Sequence, residues 1–195
     1  AFDCTGRYGV AHGEAVEYES LFMNQDYYTV FYNDEEQMEL EKRTDLNRVD
    51  VEQIHLEKRL VKTCRFQRLK GEWRLTQESI RDFTGAEPLD KFMDFYRRFV
   101  SDAAFQQRSV SNPLRYVTTD PDDDFNTIEG TLDHDQWDAF KPQLPDGVIT
   151  NIRYGQTYDN PDGMILVKAG ISNGLMDILD FRKKDGEWKL VSYEN

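Results

Sequence analysis

A ten-residue pattern of this chain occurs twice, at positions 66–75 and again 115 positions later at 181–190. Both copies have the spacing Phe-x4-Gly-x-Trp-x-Leu. Gly71 and Gly186 each stand between two runs of strand character, where a tight turn requires a positive φ angle. The Trp and Leu that follow are two positions apart, which places both side chains on one face of a strand. The repeat therefore predicts two similar β-hairpins.

The same repeat divides the 195 residues into two units that each end in this hairpin. With the boundary near Pro88, the first unit covers residues 1–88 and the second covers residues 89–195. Length alone allows one domain or two, because domains commonly contain about 50 to 250 residues. We expect two units, of which the first is degenerate because it lacks an opening helix like that of the second.

The chain carries a formal net charge of −13, and both predicted units are acidic. Nucleic-acid binding depends largely on Lys and Arg side chains that displace counterions, and neither unit has a basic stripe. No apolar run approaches the roughly 20 residues that a membrane-spanning helix needs. We therefore predict no nucleic-acid partner and no transmembrane segment, and we interpret the acidity as a device for solubility.

Two cysteines, Cys4 and Cys64, leave two interpretations open. In one, a disulfide closes a loop of about 60 residues and stabilises the fold by about 4 kcal/mol. In the other, which we favour, Cys64 packs in a strand as a small hydrophobic thiol, at the position that matches Leu179 in the repeat. The cysteines and the three scattered histidines lack the spacing of zinc ligands, so we expect no metal and no cofactor.

Helix signals cluster after Pro88, which suits the first turn of a helix. Phe92, Phe95 and Phe99 recur at spacings of three and four and predict an amphipathic helix of about three turns. A short capped continuation is predicted through residue 108, and a further short helix at residues 132–140.

Strand character dominates residues 49–69 and 164–181, and a turn at Asn173-Gly174 divides the second run into two strands. In the first unit, residues 24–32 are predicted as a short helix that answers residues 133–140. Residues 35–42 are expected to extend it as a polar, charged segment.

This order of elements, with Trp137 on the short helix and long strands that end in the repeated hairpin, resembles the nuclear transport factor 2-like superfamily. A narrower pattern resembles a family of uncharacterised secreted or lipid-anchored bacterial proteins with that fold. The pattern is Phe92-x2-Phe95-x3-Phe99-x2-Asp102-x2-Phe105-Gln106-x-Arg108, followed by Pro113-Leu114.

The resemblance implies an α+β fold of two nuclear transport factor 2-like units, each a bent antiparallel sheet with helices on one face that close a cone. It also implies a location in the bacterial periplasm or cell envelope. The chain opens at Ala1 with no initiator methionine and no signal peptide, which is compatible with removal of an export segment or a lipid anchor.

Two local patterns suggest chemistry, but both have simpler interpretations. Residues 120–129 carry oxygen ligands at alternate positions as calcium loops do, yet Phe125 stands where such a loop needs glycine, so we predict a solvated acidic loop. His134 and Asp135 are candidates for acid–base catalysis. Both fall in the first turn of a short helix, where polar residues are favoured, and we assign no catalytic residue.

The leading hypothesis is an exported, non-enzymatic binding or interaction module, a monomer or a homodimer, whose partner is an unknown small molecule or protein. Its cone, or a groove between the units, would hold a small, partly apolar ligand against Tyr96, Trp137 and Tyr154. The alternative is a small-molecule lyase or isomerase that uses a cavity acid such as Asp135 with a tyrosine. A third hypothesis is a structural role at the cell envelope.

Overall fold

The structure of the protein is a computed structural model that describes residues 25–85 and 87–195. Predictions about residues 1–24, including Cys4, concern a segment outside these ranges. In chain order the elements are β1 (Tyr27–Tyr32), a 3-10 helix (Glu36–Lys42), β2 (Arg48–His55), β3 (Leu60–Leu69), β4 (Glu72–Asp82), α1 (Pro88–Ser101), α2 (Ala103–Ser109), β5 (Val110–Asp120), β6 (Asp123–Leu132), α3 (His134–Phe140), β7 (Val148–Arg153), β8 (Gly163–Gly170), β9 (Met176–Lys184) and β10 (Glu187–Glu194).

The strands form two sheets. One sheet has six strands in the order β1-β8-β9-β10-β5-β6, and the other has four strands in the order β4-β3-β2-β7. Neighbouring strands are antiparallel except β10 and β5, which are parallel. The prediction of an α+β fold with helices is confirmed, whereas the prediction of purely antiparallel sheets is wrong at this one pair.

The two repeated hairpins have the same turn. In β3–β4 the two turn residues are Lys70 and Gly71, with φ angles of 52° and 87°. In β9–β10 they are Asp185 and Gly186, with φ angles of 53° and 81°. Two consecutive positive φ angles define the type I′ turn that joins twisted strands through two residues. The predicted hairpins and the positive φ angle at both glycines are confirmed.

The hairpins also share a bulge, because the pairing register shifts just beyond the Phe–Leu pair in each. Their surroundings differ. Phe181 and Leu190 are completely buried, whereas the matching Phe66 and Leu75 are only half-buried. Helix α1 covers the second hairpin, and the ring centroid of Phe92 lies 5.3 Å from that of Phe181. The same local sequence thus forms an interior hairpin in one place and an outer hairpin in the other.

Each sheet contains a strand from the other side of residue 88. Strand β1 pairs with β8 at one edge of the six-stranded sheet, and β7 pairs with β2 at one edge of the four-stranded sheet. The expectation that each unit closes a sheet of its own therefore differs from the structure. The division into residues 1–88 and 89–195 stays a prediction about the origin of the repeat.

The prediction of a short helix at residues 24–32 is wrong, because Tyr27–Tyr32 form strand β1. Its sequence, Tyr-Tyr-Thr-Val-Phe-Tyr, consists of aromatic and β-branched side chains, which favour strands. The four residues from Thr29 to Tyr32 are buried on both faces of the sheet, so the run lacks the polar alternation that marks a surface strand.

Strands β1 and β7 lie side by side where the two sheets meet, and side chains join them there. We call this line the seam. The Phe31 N–H donates a hydrogen bond to Asn151 Oδ1 at 3.0 Å. The Phe31 carbonyl oxygen accepts hydrogen bonds from the Tyr158 hydroxyl and from Gln156 Nε2, each at 3.2 Å. A buried backbone group without a partner costs free energy, and these three side chains remove that cost at Phe31.

A buried ionic group orients the amide of Asn151. Asn151 Nδ2 donates to Glu52 Oε2 at 2.8 Å and to the Tyr158 hydroxyl at 3.2 Å, which leaves its Oδ1 for Phe31. Arg153 Nη1 lies 3.5 Å from Glu52 Oε1. Burial raises the pKa of the Glu52 carboxyl. The charge of Arg153 and the hydrogen bond from Asn151 lower this pKa, but by less than burial raises it. The seam therefore contains a polar network whose members have defined roles as donors and acceptors.

The interior consists of two apolar clusters on opposite faces of the sheets. The larger cluster lies on the face that α1, α2 and α3 cover. The smaller cluster lies on the outer face, where Met38 of the 3-10 helix packs against it. The predicted long helix, its continuation and the short helix are all present, and Asp133 and Gln136 form a capping box on α3. None of the helices in the described residues is long and apolar enough to cross a membrane.

The predicted acidic loop at residues 120–129 is mostly a hairpin. Strand β5 runs to Asp120 and β6 begins at Asp123, so only two residues form the turn. The threonines and Ile128 that follow the acidic residues favour a strand. Within the described residues there is no group of three His, Cys, Asp or Glu side chains placed to hold a metal.

The burial difference between the hairpins predicts a difference in stability between two matched variants. Leu190→Ala should lower the free energy of unfolding by about 2–5 kcal/mol, because it leaves a cavity in the core. Leu75→Ala removes the same atoms from the half-buried copy and should cost about 1 kcal/mol or less. Urea unfolding of both variants measures the difference, and equal losses would contradict the assignment of the two environments.

Candidate functional site

Aromatic rings fill the space between α1 and the six-stranded sheet. The ring centroid of Phe92 lies 5.3 Å from that of Phe181, 5.1 Å from that of Trp188 and 6.0 Å from that of Phe31. These are edge-to-face pairs, the arrangement that aromatic quadrupoles favour. The predicted core role of the hairpin aromatics is confirmed at Phe181, which is completely buried.

Tyr96, one of the three predicted wall residues, is part of this packed interior. Its ring centroid lies 6.3 Å from that of Phe31, and its hydroxyl donates to the Pro145 carbonyl oxygen at 3.1 Å. Burial raises the pKa of Tyr96 well above its ordinary value, so the hydroxyl is a proton donor at neutral pH. Tyr96 therefore anchors the segment between α3 and β7 from the inside.

Trp137 and Tyr154, the other two predicted wall residues, lie elsewhere. Trp137 is completely buried on α3, where its indole N–H donates to Gln106 Oε1 at 3.3 Å. Tyr154 packs on the opposite face of the sheets, where it and Tyr28 lie against the smaller cluster that contains Tyr32. The structure does not bring the three side chains together, because Tyr96 and Trp137 belong to the larger cluster and Tyr154 packs against the smaller one. Their role in ligand binding stays a prediction.

A buried polar group was missed by the sequence analysis. Lys168 Nζ lies 3.3 Å from Asp177 Oδ2 and donates to the Gln143 carbonyl oxygen at 3.0 Å. The Tyr193 hydroxyl donates to Asp177 Oδ1 at 2.8 Å. Lys168, Asp177 and Tyr193 are at most 5% exposed. The available signal was a lysine and an aspartate within otherwise apolar strands, on the faces that also carry Leu166 and Leu179.

The predicted acid–base candidates lie apart from that buried carboxylate. His134 Nε2 is 2.9 Å from the Val110 carbonyl oxygen, which links α3 to the start of β5. Asp135 is exposed in the first turn of α3. Cys64 is buried in β3 with its Sγ 3.6 Å from Glu78 Oε1, and the choice between a thiol and a disulfide with Cys4 stays open.

An open cleft of about 240 Å³ lies at the end of α1, between that helix, the end of β2 and the segment before β7. We call it the mouth cleft. Arg97 Nε is buried there and has no hydrogen-bond partner in the part of the chain that the structure describes. The lining residues are Leu56, Glu57, Arg97, Val100, Ser101, Asp146 and Gly147.

Backbone hydrogen bonds hold the walls of the mouth cleft in place. The Leu56 N–H donates to the Gly147 carbonyl oxygen at 2.8 Å, which ties the end of β2 to the segment before β7. The Ser101 hydroxyl donates to the Arg97 carbonyl oxygen at 2.8 Å within the last turn of α1. The cleft combines a guanidinium, two carboxylates and two aliphatic walls in a small volume.

Comparison with known proteins assigns the chain to a family. The model of the family described as "Domain of unknown function (DUF4348)" matches residues 10–195. The chain belongs to this family. This DUF4348 protein is similar to an NTF2-like protein from Bacteroides fragilis NCTC 9343, which has a crystal structure. The two chains have 44% sequence identity and a TM-score of 0.81, and the match covers 89% of this chain and 75% of the Bacteroides fragilis chain.

The comparisons confirm the predicted superfamily, nuclear transport factor 2-like, and the predicted family of unknown function. Among curated proteins, none is similar enough to the DUF4348 chain to count as a match. The shared fold does not by itself specify a reaction or a ligand, because related folds carry unrelated functions.

The buried group of Lys168, Asp177 and Tyr193 predicts that the stability difference between this DUF4348 protein and its Tyr193→Phe variant depends on pH. Burial, followed by the hydrogen bond to Asp177, raises the pKa of Tyr193 above its ordinary value of 10.0. The unfolded chain therefore ionises this tyrosine first, and the stabilisation is present below pH 10.0 and is lost as the pH rises towards the folded-state pKa. Below pH 10.0, Tyr193→Phe should lower the free energy of unfolding by about 1–3 kcal/mol.

Urea unfolding at about pH 8 and about pH 11 compares the protein with Tyr193→Phe on both sides of this transition. The difference in free energy of unfolding should be smaller at the higher pH, because only the parent protein loses the contribution of Tyr193. A difference that stays constant with pH would contradict the assigned role of the Tyr193 hydroxyl.

Proposed function

We propose that this protein is a non-enzymatic binding module that takes a small, partly apolar ligand in the mouth cleft. The observation that carries the proposal is the cleft of about 240 Å³ itself, which is open to solvent and has Arg97 in its lining. A guanidinium forms strong hydrogen bonds with the anionic groups of a ligand. Leu56 and Val100 supply the apolar surface beside it.

The packing of the cone favours the mouth cleft over the interior as the place of binding. Phe92, Tyr96 and Phe99 are at most 1% exposed, and their rings contact one another and the sheet. A ligand in that space would have to displace side chains from a close-packed core. At the mouth cleft, by contrast, Glu57, Ser101 and Asp146 are exposed to solvent.

The alternative function, a lyase or isomerase, is supported by the pairing of a buried carboxylate with a tyrosine at Asp177 and Tyr193. The arrangement favours this alternative less than the binding role, because Asp177 Oδ1 accepts from Tyr193 and Oδ2 accepts from Lys168. Both carboxylate oxygens therefore already accept a hydrogen bond from a side chain of the protein. Asp135, the acid first considered for this role, is exposed on α3.

We also propose that the protein acts in the periplasm or at the cell envelope. Support comes from the sequence pattern shared with secreted or lipid-anchored bacterial proteins. Fractionation of cells that express the protein from its own gene should recover it in the periplasmic or membrane fraction. Recovery in the cytoplasmic fraction alone would contradict this location.

Native mass spectrometry tests the binding function. After incubation with a small-molecule extract of bacterial cells and desalting, the protein should carry an added mass that denaturation releases. Val100→Phe places a ring in the mouth cleft and should reduce that adduct by about tenfold, a loss of about 1.4 kcal/mol of binding free energy.

Ile128→Phe is the matched control, because it adds a ring at an exposed position of β6 away from the cleft. This variant should retain the adduct at the level of the parent protein. Equal adducts in the parent protein, Val100→Phe and Ile128→Phe would contradict binding in the mouth cleft. A parent protein that carries no adduct would contradict the binding function itself.

A further inference from the structure

We infer that two copies of this chain associate edge to edge through strand β6, so that their six-stranded sheets form one continuous sheet. This association goes beyond the proposed binding function and does not depend on it. Three features of β6 support it, namely a long open edge, an uneven distribution of charge along the strand, and a side chain that matches a gap in the same strand.

Strand β6 (Asp123–Leu132) is the last strand of the six-stranded sheet, and among the described strands it pairs only with β5. An edge strand presents a row of backbone N–H and C=O groups to any further strand. Proteins commonly protect such edges with lysine, with proline or by making the strand very short. Strand β6 has ten residues and contains neither lysine nor proline. Its edge is therefore open to pairing with another strand.

The free edge of the four-stranded sheet, β4, differs from β6 in its charges. Five charged side chains are spread along β4, and charges on an edge strand disfavour pairing. Between residues 126 and 132, by contrast, β6 has a single charged residue, Glu129. Arg115 of β5 donates hydrogen bonds to both carboxylate oxygens of Glu129, at 2.8 and 2.9 Å, and balances its charge. Strand β6 is therefore better suited to pairing than β4.

The acidic end of β6 favours an antiparallel partner of the same kind. Residues 122–124 are three consecutive aspartates at the turn where the strand begins. In an antiparallel pair of two β6 strands these aspartates lie at opposite ends, whereas a parallel pair would set them side by side, and like charges directly opposite one another are destabilising. A two-fold axis relates the antiparallel pair, so both copies use the same surface.

A side chain and a gap lie two residues apart on β6. Ile128 is 47% exposed, and Gly130 faces the same side of the sheet because successive residues of a strand alternate. A Cβ atom at Gly130 would have no neighbour within 4 Å, so the space above this glycine is open. Tyr116 of β5 pairs with Gly130, and its ring packs against Phe140, which is 45% exposed. The gap therefore has aromatic walls.

A two-fold axis at Glu129 brings each side chain to the gap of the other copy. Ile128 of one copy then lies directly opposite the partner's Gly130, because both are one residue from the axis. In this position Ile128 fills the open space beside the partner's Tyr116 and the partner's Phe140. The exposed apolar surface at Ile128 and Phe140 is removed from water in both copies, which favours association.

Analytical ultracentrifugation of the full chain tests the association. With increasing concentration the mass of the parent protein should rise from 22.9 kDa to twice that value. We expect a dissociation constant in the micromolar range, because one strand pair is smaller than the interface of a permanent dimer. A parent protein that stays monomeric at a concentration of about 1 mM would overturn the inference.

Two matched variants identify the edge. Ile128→Lys should raise the dissociation constant of the dimer by about tenfold or more, because it places a charge in the apolar gap. Ile80→Lys is the control, since Ile80 is 69% exposed on β4, and this variant should associate like the parent protein. Circular dichroism confirms that each variant is folded. Equal dissociation constants for the two variants, or a larger loss in Ile80→Lys, would overturn the assignment to β6.

Disulfide cross-linking tests the position of the two-fold axis. Glu129→Cys places the Cβ atoms of the two copies about 4.5–5.5 Å apart, and this variant should form a covalent dimer under mild oxidation. Thr127→Cys faces the same side of β6 but leaves the two thiols roughly 14 Å apart, because four residues of strand separate them. It should stay uncoupled, and the native cysteines are the same in both variants. Equal cross-linking of the two variants, or none in Glu129→Cys, would overturn the axis at Glu129.

Discussion

Hydrogen bonds to the backbone of Phe31 join the six-stranded sheet to the four-stranded sheet. The N–H and the carbonyl of this residue are held by the side chains of Asn151, Gln156 and Tyr158, because the strands on the two sides of the seam are not joined by a regular ladder. The ring of Phe31 extends into the concave side and contacts Phe92 of α1. One residue therefore connects the seam to the packed interior, and the positions of α1 and β7 both depend on it.

The mouth cleft depends on the same connection. Leu56 follows β2 of the four-stranded sheet, Arg97 belongs to α1, and Asp146 precedes β7. Because α1 packs on the six-stranded sheet while β2 and β7 belong to the other sheet, the cleft forms only when the seam holds both sheets in place. The proposed binding at the mouth cleft is consistent with this packing, since the interior aromatic rings stabilise α1, which forms one wall of the cleft.

Local patterns in the sequence predicted much of the fold but little of the site. The Phe-x4-Gly-x-Trp-x-Leu repeat predicted both hairpins, and the spacing of Phe92, Phe95 and Phe99 predicted α1, because turns and amphipathic helices depend on neighbours in sequence. The exchange of β1 and β7 between the sheets could not be predicted in this way, since it depends on contacts across about 120 residues. Arg97 gave no signal either, because its place in the lining of the cleft depends on how α1 packs against the two sheets.

Native-state hydrogen exchange of two amides tests most directly whether the seam holds the structure together. The Phe31 amide donates to Asn151 Oδ1, and the Leu56 amide donates to the Gly147 carbonyl oxygen in the wall of the mouth cleft. In Asn151→Ala, both amides should exchange about tenfold faster or more than in the parent protein, because loss of the buried acceptor costs about 1–3 kcal/mol. Unchanged exchange at Phe31 and Leu56 would show that the two sheets hold together without these side chains and would contradict the account.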